Sequence, residues 1–159
     1  MFDSIIDSFN RNLIQGNSYL FVIKGLLVTL EISVFGVLFG TVWGMILCFL
    51  RTSENRIFRN VSRFIIVLLR GSPVLLLLMF LYYVVFADIR INGIFVAVIA
   101  FALNSGAHFA EVMRSALEAV DKKQVEAARM LGFSKFNAFF AVTLPQSIQI
   151  AKPVYQNTV

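Results

Sequence analysis

The run from Phe21 to Leu50 constrains this chain more than any other feature. It is apolar apart from Lys24 and Glu31 and a few hydroxyls, and Arg51 closes it. A helix rises about 1.5 Å per residue, so about twenty residues cross a hydrocarbon layer of ~30 Å. Glu31 then falls near the interface opposite Arg51, as a solvated carboxylate. Gly36, Gly40 and Gly44 recur at every fourth position and predict a ridge on which another helix packs backbone to backbone. The whole chain agrees: 58% of its residues are hydrophobic and only 14% charged, with mean hydropathy +0.80. That balance belongs to integral membrane proteins.

A second span is expected over about 64–86, after a connection holding Arg51, Glu54, Arg56 and Arg59, with Arg63 at the entry. It is interrupted at Arg70-Gly71-Ser72-Pro73. Pro73 removes a backbone donor, so some carbonyl there needs another partner. An Arg at this depth costs about 2.5–3.5 kcal/mol on insertion scales unless it snorkels or is paired. A broken helix in a membrane normally faces protein or a water-filled cavity, and a packing kink with a snorkelling Arg70 is the plainer alternative.

The third span, about 94–113, is two-sided. Asn104, His108, Glu111, Ser115 and Glu118 share one helical face, while Ala102, Gly106 and Ala110 form a close-packing ridge on the opposite one. Counting inward from Arg63 and Arg114, Pro73 and Asn104 both reach about 15 Å, so break and stripe share one level. A stretch over 145–159 is too polar to register as a span by hydropathy. The first twenty residues are not a signal peptide, because Asp3 and Asp7 stand where basic residues would. Phe2, Ile5, Ile6, Phe9 and Leu13 recur at helical spacing and suggest an interfacial helix.

Basic residues crowd 51–63 and 114–137, against Arg11, Lys24 and Arg90 elsewhere. The positive-inside rule puts the first two regions in the cytoplasm and the N terminus outside. The charge of +5 therefore points to loops beside spans and not to nucleic acid. Cys48 is alone, and with one His the chain builds neither a zinc site nor a Cys–His dyad. No Gly-rich nucleotide loop occurs, and His108 with Glu111 lacks the nucleophile or metal an intramembrane enzyme needs. On the residues alone the fold class is an all-α membrane protein with three clear transmembrane helices.

Between the third span and that polar stretch lies a cytoplasmic loop, 118–144, containing EAARMLGFSKFNAFFAVTLP from Glu126 to Pro145. Gly132 suits a positive φ that ends a short helix. Ser134 can cap a second helix, and Pro145 suits the first position of a third. Ala127 and Ala128 would let another surface approach the backbone. Glu-Ala-Ala, Gly132 and Leu144-Pro145 in this register resemble the EAA loop of ABC importer permeases. Arg-Gly-Ser-Pro, Tyr82-Tyr83 and Leu103-Asn104-Ser105-Gly106 leading to Glu111 look like the polar amino acid uptake group.

The resemblance implies a type I ABC importer permease-like helical bundle in the bacterial inner membrane, with a fourth, polar transmembrane helix from Pro145 beside the three clear ones. It implies ATPase coupling through Glu126, Ala127, Ala128, Leu131 and Gly132, and a substrate path past Arg70, Ser72, Pro73, Asn104, Ser105 and Glu111. The partners would be an ABC ATPase dimer, a second permease subunit, an external amino-acid-binding protein, the amino acid substrate and the bilayer. The chain itself would bind no cofactor, ATP and Mg sitting in the ATPase. Members of the family continue past position 159 with at least one more spanning helix. From Pro145, fifteen residues rise only about 22 Å, so the fourth span is expected to stop inside the membrane. A shortened scaffold that docks the ATPase without transporting is the alternative to a transport subunit.

Overall fold

The computed structural model describes residues 18–156. The interfacial helix expected over 1–20 falls, up to residue 17, outside the described residues, as does the chain end at 157–159. Among the described residues all regular structure is helical.

Helix α1, Ser18–Arg51, runs 34 residues, about 51 Å and well beyond the hydrocarbon thickness. It is apolar outward and small inward. Phe21, Leu26, Leu30, Phe39 and Phe49 are exposed, while Gly36, Gly40 and Gly44 are buried. The hydroxyls of Thr29, Ser33 and Thr41 donate to the carbonyl four residues back, at 2.8–2.9 Å. These three hydroxyls are thereby satisfied within the helix, without water.

The helix that covers the glycine ridge comes three elements later. Helix α2 is Arg56–Gly71 and α3 is Val74–Phe80, carried on by a π-helical turn at Leu81–Val85. Helix α4, Gly93–Ala119, begins at an Asn92 cap and lies along α1. Their backbones touch. A Cβ on Gly44 would stand 2.6 Å from the Gly106 carbonyl oxygen, and one on Gly106 2.7 Å from that of Gly40. Ala102 and Ala110 of the expected second ridge are buried beside them. Helix α4 also packs on α2, α3 and the last helix, so it is the axis of the bundle.

Three expectations need correction. The second helical segment starts earlier than 64: α2 begins at Arg56, capped by Asn55, so the hydrophilic connection shrinks. Its two halves meet at 107°. Ser72 (φ −101°, ψ 137°) and Pro73 (φ −57°, ψ 134°) are both extended, because proline disfavours a helical residue before it. The third span is longer than 94–113, since its amphipathic end runs on to Ala119.

The fourth helix does not start at Pro145. Helix α5, Lys122–Met130, is followed by α6, Lys135–Ala138, a π-helical turn at Phe139–Thr143, and α7, Leu144–Gln156. From Lys135 the helical path is continuous, about 30 Å. The Leu144 amide donates five residues back, to Phe139, and this wider turn accommodates the proline ring that would clash in an α-turn. Two contacts tie α7 to the core: the Tyr155 hydroxyl lies 3.0 Å from Thr41 Oγ1, and its ring meets Phe109 edge-on.

Because the α1–α4 seam has no room for a methyl group, Gly44→Ala should lower stability by about 1–3 kcal/mol. Gly25→Ala, where an added Cβ meets nothing within 4 Å, should be neutral. Thermal unfolding of the two variants in detergent checks this, and equal melting would mean the seam is loose.

Candidate functional site

Two features gather the polar residues: an elbow at one end of the bundle and a groove along α4. The elbow is built from local chemistry. The Asp121 carboxylate accepts from the Lys123 amide at 2.9 Å and starts α5. At its other end Gly132 takes φ +90°. The Gly132 amide donates to Arg129 and the Phe133 amide to Ala128, the paired bonds of a Schellman motif. Ser134 Oγ accepts from the Asn137 amide at 3.1 Å and starts α6. Both terminators lie where the residue types put them.

The tip of the elbow is apolar and open. Met130 is 88% and Leu131 81% exposed, and Glu126 and Ala127 are exposed with them. Ala128 departs from the expectation of an exposed alanine pair. It is buried, since α5 packs back on α6 and the π-turn. Side-chain contacts hold the elbow to the bundle: Lys135 Nζ lies 3.0 Å from Glu54, and Gln146 donates to Gln124. The Lys135 hydrogen bond holds the Glu54 carboxyl below its usual range. Its contribution is present above the ordinary carboxylate pKa and is lost as the pH falls through the lowered value.

The groove begins at the corner between α2 and α3. Pro73 has no amide hydrogen, and the carbonyl it would have served is that of Leu69, four residues earlier. Asn104 Nδ2 of α4 donates to that carbonyl at 3.3 Å, so a side chain replaces the missing backbone donor. Ser72 Oγ serves the Leu68 carbonyl at 2.9 Å. Asn104 and the break, placed at one level by counting, thus meet directly.

Ser105, one residue on, faces the other way. Its Oγ donates to the Gly36 carbonyl at 3.2 Å, in the α1–α4 seam, away from the groove. Further along the polar face, Glu111 accepts from Arg114 at 2.6 and 2.9 Å, and Arg114 also reaches Glu118. Two cavities meet at Arg70 and Glu111. One, about 370 Å³, lies towards α7 with Ser115, Ile150 and Val154. The other, about 450 Å³, lies towards α1 with Arg51, Arg63 and His108. Sequence reasoning treated Arg51 and Arg63 only as topology markers. The seven-residue spacing of Arg63 and Arg70, which puts both on one side of a helix, was the signal that could have placed them.

If Asn104 substitutes for the Pro73 amide, Asn104→Leu should cost about 1–3 kcal/mol by leaving a buried carbonyl unpaired. The cost should shrink in a Pro73→Ala background, where an amide is restored. A double-mutant cycle of unfolding in detergent measures this, and additive costs would refute the substitution.

Residues 36–153 match the family described as binding-protein-dependent transport system inner membrane component. A putative glutamine transport system permease protein of Rickettsia prowazekii is 40% identical over 140 residues, covering 87% of this chain and 64% of its own length. A probable amino-acid ABC transporter permease protein of Bacillus subtilis is 39% identical, covering 88% and 62%. The glutamine transport system permease protein of Escherichia coli K12 is 34% identical, covering 86% and 64%. This chain therefore spans less than two thirds of these relatives. A crystal structure of an amino acid ABC transporter with histidines superposes with a TM-score of 0.82 at 31% identity, over 92% of this chain and 69% of that one.

Proposed function

This chain belongs to the family of inner-membrane components of binding-protein-dependent transport systems, and from that premise we propose that it is the membrane permease subunit of an ATP-driven amino acid importer. The observation that carries the reading is the elbow: a rigid helix–glycine–helix knob with an apolar tip, standing at the end of the bundle. Such a knob suits insertion into a cleft of a cytoplasmic ATPase dimer. Two capped helices and a Schellman turn resist deformation, so a push on the tip passes into the bundle without being absorbed. Continuity of helix from Lys135 to Gln156 links the knob to the wall of the groove. The relatives named for glutamine and amino acids support an amino acid as substrate.

In this reading the elbow lies in the cytoplasm and the N terminus outside. A second permease subunit completes the pore, and an external binding protein delivers the substrate. The path runs along the cavity between α2, α4 and α7, past Arg70, Glu111 and Ser115. Ser72, Pro73 and Asn104 hold the corner that follows Arg70 without lining this cavity. The Arg70 guanidinium of α2 and the Glu111 carboxylate of α4 offer partners to the two ends of a zwitterionic amino acid. Catalysis belongs to the ATPase; this subunit supplies the route and the coupling.

Reconstitution with the ATPase and the binding protein tests this. Gly132→Pro, incompatible with φ +90°, and Leu131→Glu, which charges the tip, should each reduce uptake at least about tenfold while the bundle still folds. Ala127→Arg should do the same by blocking approach. Ala128→Arg should instead unfold the elbow itself. Full uptake and full stimulation of ATP hydrolysis in the first three variants would discard the coupling role.

A further inference from the structure

The cavity between α1, α2 and α4 shares Arg70 and Glu111 with the transport path, and the rest of its lining is left unused by that reading. Its walls carry Arg51 from the end of α1, Arg63 and Arg70 two turns apart on α2, and His108 and Glu111 from α4. Three guanidiniums face one carboxylate, and that carboxylate already accepts two hydrogen bonds from Arg114. Among the described residues, Arg51, Arg63 and Arg70 make neither a hydrogen bond nor a close ion pair. Arg51 Nε is buried without a hydrogen-bond partner. The cavity thus holds a surplus of positive charge and of unused donors.

We propose that this cavity binds the phosphate of an anionic phospholipid from the leaflet on the elbow's side. The chemistry is that of a forked guanidinium on phosphate oxygens, which bonds them in pairs and offsets the burial of charge. Basic pockets between transmembrane helices are suited to anionic headgroups for this reason. A free phosphate ion would meet the same guanidiniums, but the surroundings favour a lipid. Phe64 and Val67 of α2, beside Arg63, are 69% and 63% exposed and offer apolar surface to acyl chains. Arg51 lies one short connection from Glu54, which is bonded to the elbow, so the Arg51 end of the cavity lies on the elbow's side. The bound lipid would brace the ends of α1 and α2 against α4.

The inference depends on the membrane setting of the helices and not on what they transport, so binding is the readout and uptake is not. The full chain, purified in a neutral detergent, is titrated with phosphatidylglycerol, with phosphatidylcholine of the same acyl chains, and with inorganic phosphate. Native mass spectrometry and thermal unfolding follow each. Phosphatidylglycerol should be retained and should raise the melting temperature, binding at least about tenfold more tightly than phosphatidylcholine. Arg51→Gln with Arg63→Gln should remove that preference, whereas Arg59→Gln, on the same helix outside the cavity, should keep it. Equal binding of the two lipids by the unmodified chain would overturn the proposal whether or not the variants fold. Stabilisation by millimolar inorganic phosphate matching that of the lipid would reassign the cavity to a free anion and overturn it too.

Discussion

The contact of α1 with α4 through bare backbone is the constraint on which the rest of this structure depends. In a bilayer the hydrophobic effect does not drive helices together, since lipid is as apolar as leucine. Close approach and dispersion must do so. Gly36, Gly40 and Gly44 remove side chains from one surface, and Ala102, Gly106 and Ala110 from the other. Ser105 adds a hydrogen bond across the seam. With α4 fixed on α1, its opposite face is fixed too, and that face carries Asn104, His108 and Glu111.

The corner at Gly71–Pro73 follows from that placement. A chain that turns by 107° at membrane depth leaves carbonyls without donors. One is served by Ser72 from within, the other by Asn104 from α4. The break is therefore held by the axis of the bundle and would not keep its geometry alone. The same logic governs Pro145. There the donor problem is solved inside the helix, by a π-turn that widens ahead of the ring. Two prolines with the same local defect thus give a corner in one place and an unbroken helix in the other. The difference lies in the neighbours: Gly71 and Ser72 precede the first proline, and a helix-competent FFAVTL the second.

The elbow depends least on tertiary contacts. Its caps, its positive-φ glycine and its apolar tip are properties of a few consecutive residues. Beyond the unbroken helix from Lys135 to Gln156, its side-chain hydrogen bonds to the rest of the chain are polar pairs with exposed partners, Glu54–Lys135 and Gln124–Gln146. Exposed pairs are weak individually.

The sequence by itself determined the all-helical membrane architecture, the glycine ridge and the elbow. Each rests on short-range rules: hydropathy over a span, a four-residue period, a cap or a turn residue. The stop of α5 at Gly132 and the start of α6 at Ser134 were legible because only backbone groups within five residues are involved. Tertiary structure alone decided the angle at the corner, the partner of Asn104, and the turning of Ser105 into the seam. It also decided that Ala128 is covered while Ala127 is not, and that Arg51 and Arg63 line one cavity with Arg70. Helical periodicity tells which residues share a face, but not which neighbour that face meets. That choice was made by the packing of α4 on α1, where Ser105 meets Gly36 across 69 residues of chain, a separation no local pattern spans.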